Sequence, residues 1–281
     1  MKYLRVSGES SQAPHRESNT PGLGNCPVWM TTSASRFEAK RHPAYNLGMQ
    51  VEMLSVNEVS RAAIRPDRFD ELADGLNLLG FSGNHPAIVI VGGAGGMTPE
   101  DIEKVQAFFE LRLVPFADSK DAVIIDGGTD SGVMAAIGRA VKHAGGHVPV
   151  VGVVAREIEL VDTFLEPNHS HFILCPGTRW GDESEWIAAA AKAVSGLLAR
   201  VTIMINGGQI AWEDARVNIE YGSPVVIAEG SGRTADVIAE TSIGMKFEPR
   251  ALSLIRTGKI HVANFFKDPD GFIQKMNDLM E

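Results

Sequence analysis

Residues 87–105 read AIVIVGGAGGMTPEDIEKV, and this stretch decides the fold class. It opens with five apolar residues in a row, which is typical of a strand buried on both faces of a sheet. Two glycine pairs follow the strand. Thr98 and Pro99 then predict the start of a helix, because threonine caps a helix N-terminus and proline fits the first helical position. The stretch therefore predicts a buried strand, a glycine-rich turn and a helix, in that order.

The same alternation continues along the chain. Five further apolar runs predict buried strands, at residues 122–125, 148–154, 172–175, 201–205 and 225–228. Segments with helical spacing lie beside them, at residues 98–114, 131–146, 183–199, 212–222, 234–240 and 272–280. Upstream, we expect a strand at 51–54 and a helix at 67–79. Doubly buried strands joined by helices need right-handed crossovers, so the pattern predicts an α/β fold: a Rossmann-like, doubly wound, mostly parallel sheet with helices on both faces.

The composition excludes several other classes of protein. With 281 residues, of which 44% are apolar and 22% charged, the chain is too apolar for a disordered protein. Its 35 acidic and 26 basic residues give a net charge of −9 without a Lys or Arg run, so no general nucleic-acid binding is expected. We find no stretch long and apolar enough to cross a membrane, and the two cysteines have no metal-binding spacing. These features predict a soluble, cytoplasmic protein.

Residues 1–49 differ from the rest of the chain. They are rich in Ser, Pro, Gly and Asn, lack any periodicity, and hold six basic against three acidic residues. We expect an irregular N-terminal arm that either extends into solvent or folds back on its own domain or on a neighbouring subunit. Residues 50–281 are expected to form a single domain, and a homo-oligomer remains open.

Glycine turns follow four of the predicted strands at the carboxyl edge of the sheet, where open α/β sheets bind their ligands. Glycines let backbone N–H groups approach an oxyanion, and the N-terminus of the next helix adds positive charge. The turns therefore predict a phosphate-binding cavity, with Arg233 as the first choice for pairing a pyrophosphate; the alternative is that the glycines serve only tight turns. The candidate ligand-binding residues are Gly92, Gly93, Gly95, Gly96 and Thr98, then Gly127, Gly128, Thr129, Asp130 and Ser131, then Gly207 and Gly208, and finally Gly230, Ser231, Gly232 and Arg233.

Four residues outside these turns are further candidates. Asn168 and His169 precede a strand, and either they shape the turn there with one of them reaching the ligand, or they only hold the strand entrance. A metal site is not expected, because no third ligand is spaced near His169 and His171. Trp180 is placed to stack on an adenine and Glu183 to hold a ribose hydroxyl, although acids also cap helices.

Several segments resemble one known family. They are AVIIDGGTDSGVMAAIGRAV, LEPNHSHFILCPG, WGDESEW, VTIMINGG and PVVIAEGSGRTADVIA, within residues 85–240. These strings are similar to the LSDAT family of the SMF/DprA–LOG (SLOG) superfamily, best known as the N-terminal cytosolic domain of melastatin-type TRP channels. The resemblance implies a Rossmann-like fold that binds a nucleotide-derived ligand, such as ADP-ribose or an NAD-related molecule, as a stand-alone cytosolic sensor or ligand-binding protein. The sequence identifies no cofactor besides this ligand.

Two alternative functions stay open. The same superfamily includes LOG-type phosphoribohydrolases, which carry the motif P-G-G-x-G-T-x-x-E. Here Asn206 replaces the proline, and Asp214 stands at the position of the glutamate, directly after Glu213. The resemblance therefore leaves both Glu213 and Asp214 as candidate catalytic carboxylates beside a bound sugar. The other alternative is an oligomeric interaction module whose pocket is vestigial.

Overall fold

The computed structural model of the protein describes residues 48–81, 83–93, 95–158 and 164–281. The predicted N-terminal arm lies outside the described residues except for its last two positions. The division into an arm and a single domain therefore stays a prediction.

One sheet of nine strands forms the centre of the described chain, in the order β1-β2-β6-β5-β4-β3-β7-β8-β9. All neighbouring strands pair in parallel except β1 and β2, which form an antiparallel hairpin at one edge. The strands are β1 Glu52–Val56, β2 Val59–Ile64, β3 Ala87–Gly92, β4 Val123–Asp126, β5 Val150–Ala155, β6 His171–Cys175, β7 Arg200–Ile205, β8 Val225–Ala228 and β9 Ile260–Ala263.

Helices connect most of the strands. A 3₁₀ turn at Phe69–Glu71 precedes α1, and a π-helical turn at Phe109–Leu113 joins α2 to α3. The α-helices are α1 Leu72–Leu78, α2 Pro99–Phe108, α3 Val114–Ser119, α4 Gly132–His143, α5 Ser184–Ser195, α6 Ile210–Glu220, α7 Arg233–Ser242, α8 Pro249–Ile255 and α9 Pro269–Leu279.

The core lies on both faces of the sheet. Successive strand residues alternate between the faces: Val89 belongs to a cluster with α1, α5, α6, α7 and α8, whereas Ile88 belongs to one with α2, α3, α4 and α9. Both side chains are fully buried. The predicted doubly wound α/β architecture is therefore confirmed, and its physical cause is the burial of each central strand on two sides.

The predicted elements agree with the structure where they are buried. Each apolar run lies in β3–β8 to within two residues, and the Thr98 hydroxyl accepts a hydrogen bond from the Asp101 amide as an N-cap. Three elements have no counterpart in the predictions, namely β2, α8 and β9. Strand β2 contains Ser and Arg, β9 is only half-buried, and α8 has seven residues, so none has a pronounced apolar pattern.

The strand order creates a switch point at β3. From β3 the chain proceeds outward through β4, β5 and β6, then returns across the sheet to β7 on the other side of β3. The connections after β3 and β7 therefore lead away in opposite directions. In open parallel sheets the crevice formed at such a point, at the carboxyl ends of the strands, is where ligands bind.

Gly152 in β5 lies where the turn after β4 packs closely on the sheet. A Cβ at this position would lie 2.6 Å from Gly128 Cα and 2.8 Å from the Phe172 ring. We expect Gly152→Ala to lower the free energy of unfolding by about 1–3 kcal/mol, because backbone and a buried ring must both move. Urea denaturation measures the change. Gly48→Ala is the control, since no atom lies within 4 Å of a Cβ there, and equal losses in the two variants would contradict the prediction.

Candidate functional site

A cavity of about 430 Å³ lies at this carboxyl edge. Its volume falls in the range of small-molecule sites, about 300–1,000 Å³. All four predicted glycine turns contribute to its lining, the fourth through an arginine. The lining residues are Ile90, Val91, Gly92, Gly93, Gly95, Gly127, Thr129, Asp130, Ser131, Met134, Phe164, Trp180, Glu183, Ile187, Gly208, Gln209, Ile210, Ala211, Asp214 and Arg233.

Asn206 joins three of the turns. Its side-chain amide donates to Ser231 O at 2.8 Å, and its backbone amide donates to Ser231 Oγ at 2.7 Å, which connects the turns after β7 and β8. Its Oδ1 lies 2.6 Å from the position that a Cβ on Gly93 would take, so the turn after β3 packs directly on it. The residue that replaces the proline of the LOG motif therefore holds the turns at the switch point together.

Arg233 carries positive charge into the cavity. Its Nη1 donates to Gly95 O at 2.8 Å, and its guanidinium lies against Gly96 and Gly208. The backbone of Arg233 has a φ of +52°, in the left-handed region that side chains rarely occupy. Such strain is characteristic of functional sites. The predicted anion-pairing arginine therefore lies in the cavity, between the first and third turns.

Helix α6 presents its N-terminus to the cavity. Ile210 and Ala211, in its first turn, are lining residues, so the positive end of the helix dipole is directed at the site. Helix α7 differs, because its first amides are engaged elsewhere: Thr234 N donates to Gly207 O and Ala235 N to Asn206 O. Of these two helices, α6 is therefore the one whose dipole is directed at the cavity.

In the second turn, after β4, three backbone amides are already hydrogen-bonded within the protein. Gly128 N donates to Asp126 Oδ1 at 2.7 Å, Asp130 N to Phe164 O and Ser131 N to Thr129 O. This turn therefore offers the cavity mainly side chains, unlike a loop that wraps a phosphate with its N–H groups.

His169 lies behind this turn, between two buried carboxylates. Its Nε2 is 2.8 Å from Asp126 Oδ1, and its Nδ1 is 2.8 Å from Glu166 Oε2. All three side chains are at most 1% exposed. Glu166 N also donates to Gly128 O, so the segment that carries His169 holds the turn from the back.

The arrangement keeps His169 charged. Burial lowers the pKa of His169, but the facing carboxylates of Asp126 and Glu166 outweigh it and raise the pKa to about 9. Burial opposes ionisation of Glu166 as well, yet the bonds from His169 and Asn168 leave its pKa below the ordinary value. The structure thus does not bring His169 or Asn168 to the cavity; both side chains bond to Glu166.

A buried carboxyl, Asp214, and a partly buried one, Glu183, form an acidic end of the cavity. Asp214 is 8% exposed and accepts a hydrogen bond from Ser184 Oγ at 2.5 Å, while Glu183 accepts from Gly181 N at 2.8 Å. Burial raises the pKa of Asp214 to about 7, against the hydrogen bond from Ser184, and burial also raises the pKa of Glu183. Trp180, half exposed, lines the same cavity.

The structure distinguishes between the two candidate catalytic carboxylates. Asp214 lines the cavity, whereas Glu213 is half exposed and paired with Arg216 outside it. Gly230 lines a different groove, of about 870 Å³. The candidates that do not line the cavity are Gly96, Thr98, Gly128, Asn168, His169, Gly207, Gly230, Ser231, Gly232 and Glu213.

Some lining residues were not among the sequence candidates. Ile210 and Ala211 follow the third turn directly, and Ile210 shares a helix face with Asp214 four residues later, which is a signal that the sequence contains. Met134 similarly follows the second turn by one helical turn. Phe164 has no such signal, because its position depends on the pairing of Leu165 with Thr129.

One protein-family model matches a range of residues that includes this whole site. The prokaryotic family model LSDAT_prok, described as "SLOG in TRPM, prokaryote", matches residues 85–274. Every cavity-lining residue lies within the match. The chain belongs to this family. The LSDAT resemblance is therefore confirmed, and the Rossmann-like core of this LSDAT protein, β3 to β9, falls inside the matched range.

Two curated relatives are channel subunits of the mouse. Transient receptor potential cation channel subfamily M member 2 is 29% identical over an alignment of 183 positions, which covers 50% of this chain and 12% of the channel. Member 6 is 29% identical over an alignment of 198 positions, which covers 56% of this chain and 10% of that channel. The chain thus spans about a tenth of the length of these relatives.

A solved structure shares the fold. The molybdenum cofactor binding protein from the phototrophic bacterium Rippkaea orientalis has a TM-score of 0.50 and 13% sequence identity, over 70% of this chain and 99% of that chain. Within the described ranges, we find no helix with the length and apolar character needed to span a bilayer.

The buried charge of His169 predicts a pH-dependent stability. Its folded pKa of about 9 lies above the unfolded value of 6.5, so its stabilisation is complete below pH 6.5 and is lost as the pH rises through 9. We expect His169→Gln to lower the free energy of unfolding by about 3 kcal/mol at about pH 6. The difference from wild type should shrink at about pH 10, as measured by urea denaturation. A difference independent of pH would contradict this account.

Proposed function

We propose that this LSDAT protein binds an anionic, nucleotide-derived ligand, such as ADP-ribose or an NAD-related molecule, in the switch-point cavity. The observation that carries the proposal is the convergence of Arg233, the first and third glycine turns and the N-terminus of α6 on one cavity. Each of these groups stabilises phosphate oxygens, and their combination in one concave site is what pyrophosphate recognition requires.

The charge of the whole protein makes this local arrangement necessary. A net charge of −9 repels an anionic ligand at long range, and salt screens that repulsion beyond about 8–10 Å. Inside the cavity, the guanidinium and the backbone dipoles act at short range and in a lower dielectric, where they are stronger. We therefore expect affinity to depend on these few groups.

Isothermal titration with ADP-ribose, NAD⁺ and AMP tests the proposal. We expect Arg233→Gln to weaken binding by about 10- to 100-fold, because a charge-assisted hydrogen bond is worth about 1.5–3 kcal/mol. Arg216→Gln is the matched control, since Arg216 pairs with Glu213 and Glu220 on the exposed side of α6. Equal affinities of the two variants, or a wild type that binds none of these ligands, would overturn the proposal.

Gly95 offers a steric version of the same test. It lines the cavity, and no atom lies within 4 Å of a Cβ placed on it. Gly95→Leu should therefore fill the cavity without straining the fold. We expect an unchanged melting temperature and the loss of ligand binding.

A second candidate function is hydrolysis of an N-glycosidic bond. Asp214 favours it, because a buried carboxyl with a pKa near 7 is suited to donate a proton to a leaving base. Water would add to the anomeric carbon as the bond to the base nitrogen breaks. Glu213, outside the cavity, has no place in this reaction.

Chromatography of nucleoside monophosphates incubated with the protein tests this second function. We expect Asp214→Asn to reduce base release by about 10²- to 10⁴-fold and Glu213→Gln to leave it unchanged. If the wild type releases no base, or if the two variants behave alike, the cavity is a binding site only.

A further inference from the structure

The carboxyls of the cavity outnumber its cations. Asp130, Glu183 and Asp214 line it together with one arginine, Arg233. Within the described residues, the hydrogen bonds to Asp214 and Glu183 come from neutral groups: Asp214 accepts from the Ser184 hydroxyl, and Glu183 accepts from the Gly181 amide and from its own amide. The arginine is engaged at the glycine end, where it donates to Gly95 O. A site for an anionic ligand thus contains uncompensated acidic groups.

Burial makes these acidic groups costly once a ligand closes the cavity. A carboxylate accepts up to about four hydrogen bonds, so the one or two neutral donors present leave Glu183 and Asp214 with unused acceptor capacity. If an uncharged ring covered them, water would be displaced without replacement, and an ionised carboxylate would lose its solvation. A positive charge placed against them offsets this cost through short-range attraction.

Trp180 adds a second feature suited to a positive ring. It is 50% exposed and lines the same cavity as Glu183 and Asp214, in the loop that leads into α5. An indole face attracts a cation, and the attraction grows as water is excluded from the site. It also stacks on a flat heterocycle. An aromatic cation can stack on the tryptophan and pair with the carboxyls at the same time.

We propose that the acidic end of the cavity, formed by Trp180, Glu183 and Asp214, binds a positively charged heterocycle of the ligand. The ligand class is therefore a nucleotide-like molecule with phosphate at one end and a cationic ring, such as a pyridinium or a thiazolium, at the other. This inference rests on the proposed function, since it assigns the phosphate to the Arg233 end.

Redox forms of one dinucleotide provide a direct comparison. NAD⁺ and NADH share their phosphates, riboses and adenine, and only the nicotinamide ring differs, charged in one and neutral in the other. We expect NAD⁺ to bind about tenfold or more tightly than NADH. Thiamine diphosphate against ADP is the corresponding comparison for a thiazolium, and it distinguishes the two sources of a cationic ring.

Proton release gives a readout that does not depend on affinity. Burial raises the pKa of Asp214 to about 7, so the carboxyl is about half protonated at neutral pH. The groups that act on it are Ser184 and Glu183 from the α5 side and Glu213 on its own helix. A cation bound beside Asp214 lowers its pKa and expels the proton. The binding enthalpy of NAD⁺ should therefore vary with the ionisation enthalpy of the buffer, and that of ADP-ribose should not.

Two variants show which carboxyl is responsible for the buffer dependence and which for the preference for NAD⁺. Asp214→Asn should abolish the buffer dependence, and Glu183→Gln should reduce the ratio of NAD⁺ to NADH affinity about threefold or more. Glu220→Gln, half exposed on the same helix and paired with Arg216, is the matched control and should change neither readout. Circular dichroism and the melting temperature establish that each variant is folded.

The possible outcomes separate the two proposals. If ADP-ribose binds but NAD⁺ has no advantage over NADH, and thiamine diphosphate none over ADP, the inference is wrong and the proposed function stands. A cationic advantage that persists in Glu183→Gln and Asp214→Asn together overturns the assignment to this end of the cavity. If none of these molecules binds, both the proposed function and the inference fail.

Discussion

The close approach of two backbones, at the ends of β3 and β7, is the constraint on which the site depends. A Cβ on Gly92 would lie 2.6 Å from Ile205 O, and one on Gly93 the same distance from Asn206 Oδ1. No side chain fits at either position, so the two turns share one crevice at the switch point of the sheet. Because they meet there, Arg233 from the fourth turn, after β8, reaches across them to Gly95 O.

The glycine-rich turns of this sheet edge perform different tasks despite similar sequences. The first and third surround the guanidinium of Arg233, whereas the second uses its amides internally and offers side chains. The second turn is in turn held by His169, a buried imidazolium between two carboxylates. The position of the second turn therefore depends on a charge network that does not line the cavity. Loss of that network would affect the site by displacing the turn.

Charge is distributed unevenly within the cavity. Arg233 lies against the glycine turns, while Glu183 and Asp214 accept hydrogen bonds from Gly181 and Ser184. Groups of both signs within about 430 Å³ favour a ligand that itself carries charges of both signs. The acidic net charge of the protein then has little effect on specificity, since local groups dominate at short range.

The sequence by itself determined the doubly wound class, six of the central strands, the Thr98 cap and the position of the glycine turns. Those features depend on local patterns: doubly buried apolar runs, helix-start residues and glycines at strand ends. It also determined the family, because the strings around the turns are specific. Elements with weak burial, such as β9 and α8, left no comparable pattern.

Only the tertiary structure decided which candidates meet. Glu213 and Asp214 are neighbours in sequence, yet the helical rotation between them places one in the cavity and the other in an exposed ion pair. His169 appeared as a ligand residue in sequence and is a buried partner of Asp126, 43 residues away. Such contacts depend on the order of strands across the sheet, and no local pattern encodes them because the partners come together only when the whole sheet forms.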